Sequence, residues 1–210
     1  RPADAIRLLS EAERFYRARR IPARRAQALL DIGRAWIERD DLGAAWRSAG
    51  NALRASGRLN NESLTRAAKC LRADVLLRRH LPVRAERELS GLEEMMPRLP
   101  MRDRVEYWTT AARVARADGK FAAASLRYQR AARCVEAQRA LIPGMELRAR
   151  SFERDVRVYQ EQIAMLAALR GPIWIGSSGK GVGRYVEGRF SAFTTNEGLS
   201  SNRVIALLVD

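Results

Sequence analysis

The chain of 210 residues has little of the material from which most active sites are built, with one histidine and two cysteines. His80 has no Cys or carboxylate partner at metal-ligand spacing, and no nearby Ser or Cys motif resembles a nucleophile pair. Cys70 and Cys134 lie on apolar helical faces and also lack metal-ligand spacing, so we expect buried free thiols rather than a disulfide. The sequence therefore predicts a solvent-exposed turn histidine and no catalytic residue, metal or cofactor.

Long hydrophobic runs are also missing. No apolar stretch reaches the roughly 18 residues that a membrane-spanning helix needs, so we expect no membrane contact. Hydrophobic residues nevertheless make up 47% of the chain, which is enough to form a core. The chain starts at Arg1 without a methionine and ends inside the apolar run 204–209, and we interpret it as part of a longer protein.

Lysine is scarce although the chain is strongly basic, with a net charge of +15. Lys69, Lys120 and Lys180 are the only lysines, and the remaining basic residues are arginines. Clustered cations can bind nucleic-acid phosphates by releasing counterions. The excess of arginine together with abundant alanine instead indicates an Arg-biased coding composition, and charge runs are commonly solvated helix faces. We therefore expect no specific nucleic-acid partner and keep weak, non-specific nucleic-acid binding as an alternative.

Apolar residues recur at helical spacing from the start of the chain. A first helix over 2–20 is predicted by the apolar residues Ala5, Leu8, Leu9, Ala12, Phe15 and Tyr16. Proline disfavours helix in the residue before it, so Ile21-Pro22 predicts a break. Two further helices, 23–39 and 42–56, follow, and Gly57 ends the second. We interpret the helix over 2–20 as the second half of a helical pair.

A pattern of small and large residues recurs about every 40 residues, as expected where one helix packs closely against the next. The pattern falls on Gly33, Trp36, Ala45, Ala49 and Ala52, then on Ala73, Leu76, Ala85, Leu89 and Leu92, and then on Ala112, Ala115, Ala124, Tyr128 and Ala131. It resembles the tetratricopeptide repeat, with Ala49 where that family usually has an aromatic residue. The resemblance implies a mainly α fold, an α-solenoid of about three helical hairpins within residues 1–170.

The period is longer than the roughly 34 residues usual for tetratricopeptide repeats. We attribute the difference to longer helices and to loops near Asn60-Asn61 and 97–100.

A further helix is predicted up to about residue 169 by inward-facing apolar residues at helical spacing: Val156, Tyr159, Ile163, Leu166 and Leu169. We interpret it as a cap, because a terminal repeat would otherwise expose its apolar side to water. The segment 136–166 also resembles the last repeat and closing helix of arrays that precede CHAT protease-like domains. That resemblance implies an alternative function, as the accessory repeat scaffold of such a protein.

At Gly171-Pro172 the apolar spacing changes from helical to alternating. The sequence predicts a short strand over 173–176, a hairpin around Glu187-Gly188 within 185–194, and another strand over 203–209.

The motifs of this segment are Trp174-Ile175-Gly176, 181–185, 190–195 and 198–204. Together they resemble one repeat of the two-component regulator propeller family, with Ser177, Val182 and Ser200 in place of its usual Thr, Leu and Pro. The resemblance implies that residues 171–210 begin a β-propeller whose other blades lie beyond Asp210, since a propeller needs about four to eight blades.

The glycine-rich segment 176–183 invites a phosphate-binding interpretation, since backbone amides and a lysine can hold phosphates. The spacing argues against it. Trp174 stands where a Walker loop needs its first glycine, and Gly181 follows Lys180 where Ser or Thr is needed. We expect a tight turn instead, in which glycine supplies positive φ.

The tetratricopeptide resemblance also implies a peptide-binding inner face, lined by the first helix of each repeat. The matching positions are Gln27, Arg34, Glu38, Asp74, Arg78, Glu106, Thr109, Arg113 and Arg116. The four arginines of this set would form a basic stripe, and Arg forks bind carboxylates, so we expect a protein or an acidic peptide as the partner. Ordinary solvated helix residues are the equally weighted alternative.

These observations favour a non-enzymatic protein–protein interaction scaffold. The propeller resemblance implies the sensory-input portion of a larger bacterial-type signal-transduction protein, whose output domain would lie outside this sequence. A cytoplasmic location is favoured for the helical repeats, and a periplasmic one is the alternative if the parent protein is a propeller sensor.

Overall fold

The computed structural model describes residues 2–143, 145–170, 173–176, 179–186 and 189–204, and the chain is mainly α-helical, as predicted. The α-helices within these residues are α1 (Pro2–Ala18), α2 (Pro22–Glu38), α3 (Leu42–Arg58), α4 (Glu62–Arg78), α5 (Pro82–Leu89), α6 (Met101–Ala117), α7 (Phe121–Ala140) and α8 (Met145–Arg170). The remaining elements are two 3-10 helices, Glu93–Arg98 and Thr195–Glu197, and the strands β1 (Ile173–Gly176), β2 (Val182–Val186) and β3 (Arg189–Phe193).

Contacts divide the chain into two compact units, Arg1–Phe152 and Glu153–Asp210. In the first unit α2 packs on α3, α4 on α5, and α6 on α7, which makes three helical hairpins. The first helices of adjacent hairpins are also neighbours, because α2 contacts α4 and α4 contacts α6. Hairpins stacked in a row are the packing expected of an α-solenoid. The predicted domain boundary between residues 170 and 171 stays a prediction.

The repeated small residues lie where helices approach closely. A Cβ placed on Gly33 of α2 would lie 2.7 Å from Cδ2 of Leu71 in α4 and 3.5 Å from Cβ of Ser48 in α3. Ala73 and Ala112, the matching residues of α4 and α6, are completely buried. The matching residues of the second helices are buried as well, and so is Leu92, which follows α5: Ala45, Ala49, Ala52, Ala85, Leu89, Ala124, Tyr128 and Ala131. The predicted register is therefore confirmed.

The turns that follow α1, α2, α3 and α4 share one geometry. Each of α1 to α4 has 17 residues and is followed by a three-residue turn. The middle residues of these turns share a positive φ: Arg20, Asp40, Asn60 and His80. The next amide donates to the carbonyl five residues back, as the Ile21 N–H does to Tyr16 at 2.9 Å, which is the Schellman motif. Long helices and tight turns thus make the period, and the connection predicted near Asn60-Asn61 is one of these turns.

Glycine is the residue that fits these turn positions best. The left-handed conformation costs a non-glycine residue about 1–2 kcal/mol of folded-state strain. Glycine avoids this strain, but it also makes the unfolded chain more flexible, which offsets part of the gain in stability. We therefore expect Arg20→Gly to raise the free energy of unfolding by about 0.5–1 kcal/mol, measured by urea denaturation. Arg14→Gly, inside α1, is the control and should lower it by about 1 kcal/mol. Destabilisation by both substitutions would contradict the strain at Arg20.

The second hairpin departs from the regular repeat. The helix α5 has only eight residues, and Gly91 with φ of +74° follows it. The chain then forms the 3-10 helix Glu93–Arg98, whose Met96 is buried together with the flanking Leu92 and Leu99. The irregular stretch expected near 97–100 is therefore present, and it contributes to the core.

The helix α8 confirms the helix that was predicted to end near Leu169. Its most buried described side chains are Val158 and Met165, seven residues apart. Leu169 is 43% exposed, so its predicted inward orientation is wrong. The remaining residues predicted to face inward are half-buried: Val156, Tyr159, Ile163 and Leu166. The cap function of α8 stays a prediction.

The three strands form one antiparallel sheet in the order β1-β2-β3. Ile173 is opposite Tyr185, and Val186 is opposite Arg189. This pairing confirms the strand over 173–176 and the hairpin around 187–188. The predicted strand over 203–209 lies mostly outside the described residues, which in this region end at Val204.

Candidate functional site

The charged residues of the first helices lie on a shared face. On α4 the residues Arg66, Asp74 and Arg78 are separated by eight and then four residues, which places Asp74 about 80° from Arg66 and about 40° from Arg78 around the helix. Because α2 and α6 flank α4, side chains from three repeats can meet across this face.

A network of ion pairs joins the three helices at this face. The side chain of Arg66 is only 3% exposed, and its guanidinium lies 3.1 Å from Asp103 and 2.8 Å from Glu106, both on α6. The other oxygen of Glu106 accepts from Arg34 of α2 at 2.9 Å. Arg34 also contacts Asp31 at 2.9 Å. Glu106 therefore bridges two arginines from two other helices.

The network keeps Glu106 ionised. Burial opposes the charge of this carboxyl, but the guanidiniums of Arg66 and Arg34 outweigh burial and hold the pKa of Glu106 below its ordinary value. Nε of Arg66 is buried without an acceptor among the described residues. Arg66 thus depends on the two carboxylates of α6 for compensation of its charge.

The predicted inner-face residues fall into three groups. Arg34 and Glu106 belong to the network, and Gln27 lies beside it, donating to Asp31 at 3.2 Å. Asp74 and Arg113 lie 3.8 Å apart as a partly buried pair between α4 and α6.

The other predicted residues stand apart from these pairs. Thr109 is buried, and its hydroxyl donates to the Val105 carbonyl at 2.7 Å. Glu38, Arg78 and Arg116 are all exposed. The predicted basic stripe is thus interrupted by carboxylates, and its exposed members lie toward the C-terminal ends of α4 and α6.

Three members of the network, Asp31, Arg66 and Asp103, were not predicted from the sequence. Helix periodicity alone does not say which helices are neighbours. One signal was available: Arg66 precedes the predicted inner-face residue Asp74 by eight residues, which is about 80° around α4.

The remaining candidates for chemistry are inert in this arrangement. Cys70 and Cys134 are free, as predicted, with Cys70 buried and Cys134 half-buried. Burial raises the pKa of the Cys70 thiol to about 12, so it is not a thiolate nucleophile at neutral pH. His80 is exposed in its turn, as predicted.

The described glycines of the glycine-rich segment have the positive φ that a turn needs. Gly179 and Gly181 have φ of +113° and +77°, and their amides both donate to the Asn202 carbonyl, at 3.0 and 2.8 Å. These amides are therefore used within the fold rather than directed at a phosphate.

Within the described part of the chain, no cluster of His, Cys, Asp and Glu is suited to a metal ion. In the same residues, none of the helices combines the length and apolarity needed to cross a bilayer.

No protein-family model, curated protein sequence or solved structure matches the chain.

Proposed function

We propose that this protein is a non-enzymatic scaffold that binds a protein or peptide partner on the face formed by α2, α4 and α6. The observation that carries the proposal is the side-by-side arrangement of these first helices, held by the Arg34–Glu106–Arg66 network across three hairpins. Ion pairs between hairpins hold the face in one geometry, which reduces the cost of ordering it when a ligand binds.

We infer the repeat class and the wider role from the sequence motifs. The helical hairpins are proposed to be tetratricopeptide-like, and the sheet β1-β2-β3 the start of a two-component regulator propeller. The parent protein would then be a bacterial-type signalling protein in which this chain belongs to the input side. A scaffold in a CHAT protease-like protein is the alternative. The two differ in the parent's output domain, a kinase or cyclase in the first case and a His/Cys protease in the second.

An acidic peptide is the partner chemistry that we propose for this face. Arg34 is engaged with Asp31 and Glu106, so the binding charge would come from Arg116 and Arg78, with Arg113 beside them. Exposed guanidiniums bind carboxylates as two-pronged donors.

The test is reversal of charge at the exposed C-terminal ends of α4 and α6. Arg78→Glu combined with Arg116→Glu is expected to weaken binding of a fluorescein-labelled decaglutamate peptide about tenfold or more, because two attractive contacts become repulsive. Binding would be measured by fluorescence anisotropy, and folding by circular dichroism.

The matched control reverses two exposed arginines elsewhere, Arg14→Glu with Arg133→Glu, and changes the net charge equally. Equal weakening by both doubles would mean that net charge alone attracts the peptide. An unchanged affinity in the Arg78→Glu and Arg116→Glu double with intact helical signal would place the partner on another surface.

A further inference from the structure

The helix α3 is unusual in its charge. Among the α-helices of the described residues it is the one without Asp or Glu, and it carries the exposed arginines Arg47, Arg54 and Arg58. Other helices carry arginines that are paired: Arg72 of α4 lies 2.8 Å from Glu88, and Arg127 of α7 lies 2.6 Å from Glu86.

The three α3 arginines have no such partners. Arg54 donates to the Asn51 side chain, and none of the three forms an ion pair with any described residue. A row of uncompensated guanidiniums on one helix is a surface complementary to an anionic partner.

Three glycines lie beside these arginines at seven-residue spacing, at positions 43, 50 and 57. The protein's own packing does not require them. A Cβ on Gly43 would meet nothing closer than 3.4 Å, one on Gly50 nothing closer than 3.9 Å, and one on Gly57 nothing within 4 Å. Glycine within a helix is unfavourable for folding, so their presence on an outer face calls for another reason.

The glycines lie between the arginine row and Trp46. At 100° per residue they fall between these side chains on the α3 surface. The guanidinium of Arg79 lies 6.0 Å from the centre of the Trp46 ring, and that of Arg72, which is paired with Glu88, lies 4.1 Å from it. The helix backbone thus forms the floor of a shallow furrow about 20 Å long, with the arginine row along one side.

We propose that this α3 furrow, defined by Gly43, Gly50 and Gly57 with Arg47, Arg54 and Arg58, docks an acidic α-helix of a partner protein. Seven residues is the period at which two packed helices make contact, and glycine lets two backbones come close. Carboxylates on the incoming helix match the guanidiniums of the arginine row.

A nucleic acid would also satisfy the charge of the furrow, but its phosphates wind around the axis of a duplex. The glycines instead follow a straight line for about 20 Å, which suits a helix lying along α3. The furrow is separate from the proposed binding face of α2, α4 and α6, so the two proposals can fail independently.

The probe is a 21-residue alanine-based helical peptide with glutamates at seven-residue spacing along one edge, labelled with fluorescein. A scrambled peptide of equal composition is its control. In fluorescence anisotropy the wild-type chain is expected to bind the patterned peptide about tenfold more tightly than the scrambled one, since only the patterned peptide aligns its charges with α3.

Two variants test the furrow itself. The triple reversal Arg47→Glu, Arg54→Glu and Arg58→Glu is expected to weaken the patterned peptide about tenfold or more. Gly50→Leu is expected to weaken it by a similar factor because the new side chain occupies the floor, while thermal stability stays equal or rises. A variant that keeps or gains stability but loses binding separates docking from folding.

The control triple Arg14→Glu, Arg133→Glu and Arg189→Glu carries the same change of charge on other elements and should leave the affinity nearly unchanged. The proposal is overturned by equal loss in both triples, by no effect of Gly50→Leu, or by the absence of saturable binding to the wild type. It is also overturned if a 20-base-pair DNA duplex, and not the peptide, depends on the α3 arginines.

Discussion

Replacing Gly33 by leucine is expected to lower the free energy of unfolding by about 3 kcal/mol or more, through overpacking. Gly33 is the point at which three helices meet, since a Cβ there would lie 2.7 Å from Leu71 of α4 and 3.6 Å from the Ala45 carbonyl of α3. Leu71 is buried within the core and has little room to yield. Urea denaturation followed by circular dichroism at 222 nm measures the loss.

The matched control is the same substitution at a glycine without close neighbours. Gly57 lies on the same hairpin, and a Cβ there would meet nothing within 4 Å. Gly57→Leu should therefore raise stability by about 0.5–1 kcal/mol through better helix propensity. If leucine at Gly33 were tolerated as well as leucine at Gly57, the close approach of α2 to α3 and α4 would be wrong.

Replacing Glu106 by glutamine is expected to lower the free energy of unfolding by about 2–3 kcal/mol. The substitution keeps the shape of the side chain but leaves the nearly buried Arg66 with only Asp103 to compensate its charge. Removing one partner of a buried pair typically costs about 3–5 kcal/mol, and we take a lower value because the Glu106 side chain is 37% exposed.

The control for this substitution is an exposed ion pair. Arg7 and Glu11 form an i,i+4 pair with side chains that are 64% and 52% exposed. Glu11→Gln should cost about 0.5 kcal/mol or less. Equal effects at Glu11 and Glu106 would show that the network contributes no more than ordinary surface pairing.

The pH dependence gives an independent check on Glu106. Its pKa is lowered by folding from the ordinary value of 4.5, so its contribution is fully present above that value and is lost as the pH falls through the lower, folded pKa. The stability difference between the wild type and Glu106→Gln should therefore be constant near neutral pH and shrink in acid. A difference that persisted unchanged at low pH would exclude the charge of Glu106 as its origin.

The ion-pair network would also fix the geometry of the proposed binding face. An interaction surface built from separate hairpins needs a constant spacing between them, and Glu106 ties α2 and α4 to α6. Loss of this bridge is expected to loosen the face before the hairpins themselves unfold, because each hairpin keeps its own apolar packing.

The sequence by itself determined the elements and their apolar register, because the signals for these are local. Pro22 marks the start of α2, and the small residues Gly33, Ala73 and Ala112 sit at matching positions in three hairpins. The change from helical to alternating spacing near Gly171 placed the hairpin of β2 and β3 correctly. Each of these signals depends on the conformations that a few consecutive residues can adopt.

Other local details could not be predicted, because residues other than glycine occupy the left-handed turn positions. Arg20 and His80 adopt the left-handed turn conformation that is usually occupied by glycine, so the sequence located breaks between helices but not their shared geometry. The end of α5 at Leu89, shortly before Gly91, could not be anticipated from periodicity.

Only the tertiary structure decided which charges are paired and which are available to a partner. Arg34 and Glu106 are 72 residues apart, and Arg66 and Glu106 are 40 apart. Their pairing depends on α2, α4 and α6 lying side by side at fixed rotations. An ion pair forms only when two charged groups on different helices lie within a few ångströms of each other. Helical periodicity predicts the face on which a residue lies, but not which residue of another helix lies opposite it. Among the described residues the arginines of α3 form no ion pair, whereas Asp31 of α2 pairs with Arg34 and Glu62 of α4 pairs with Arg98.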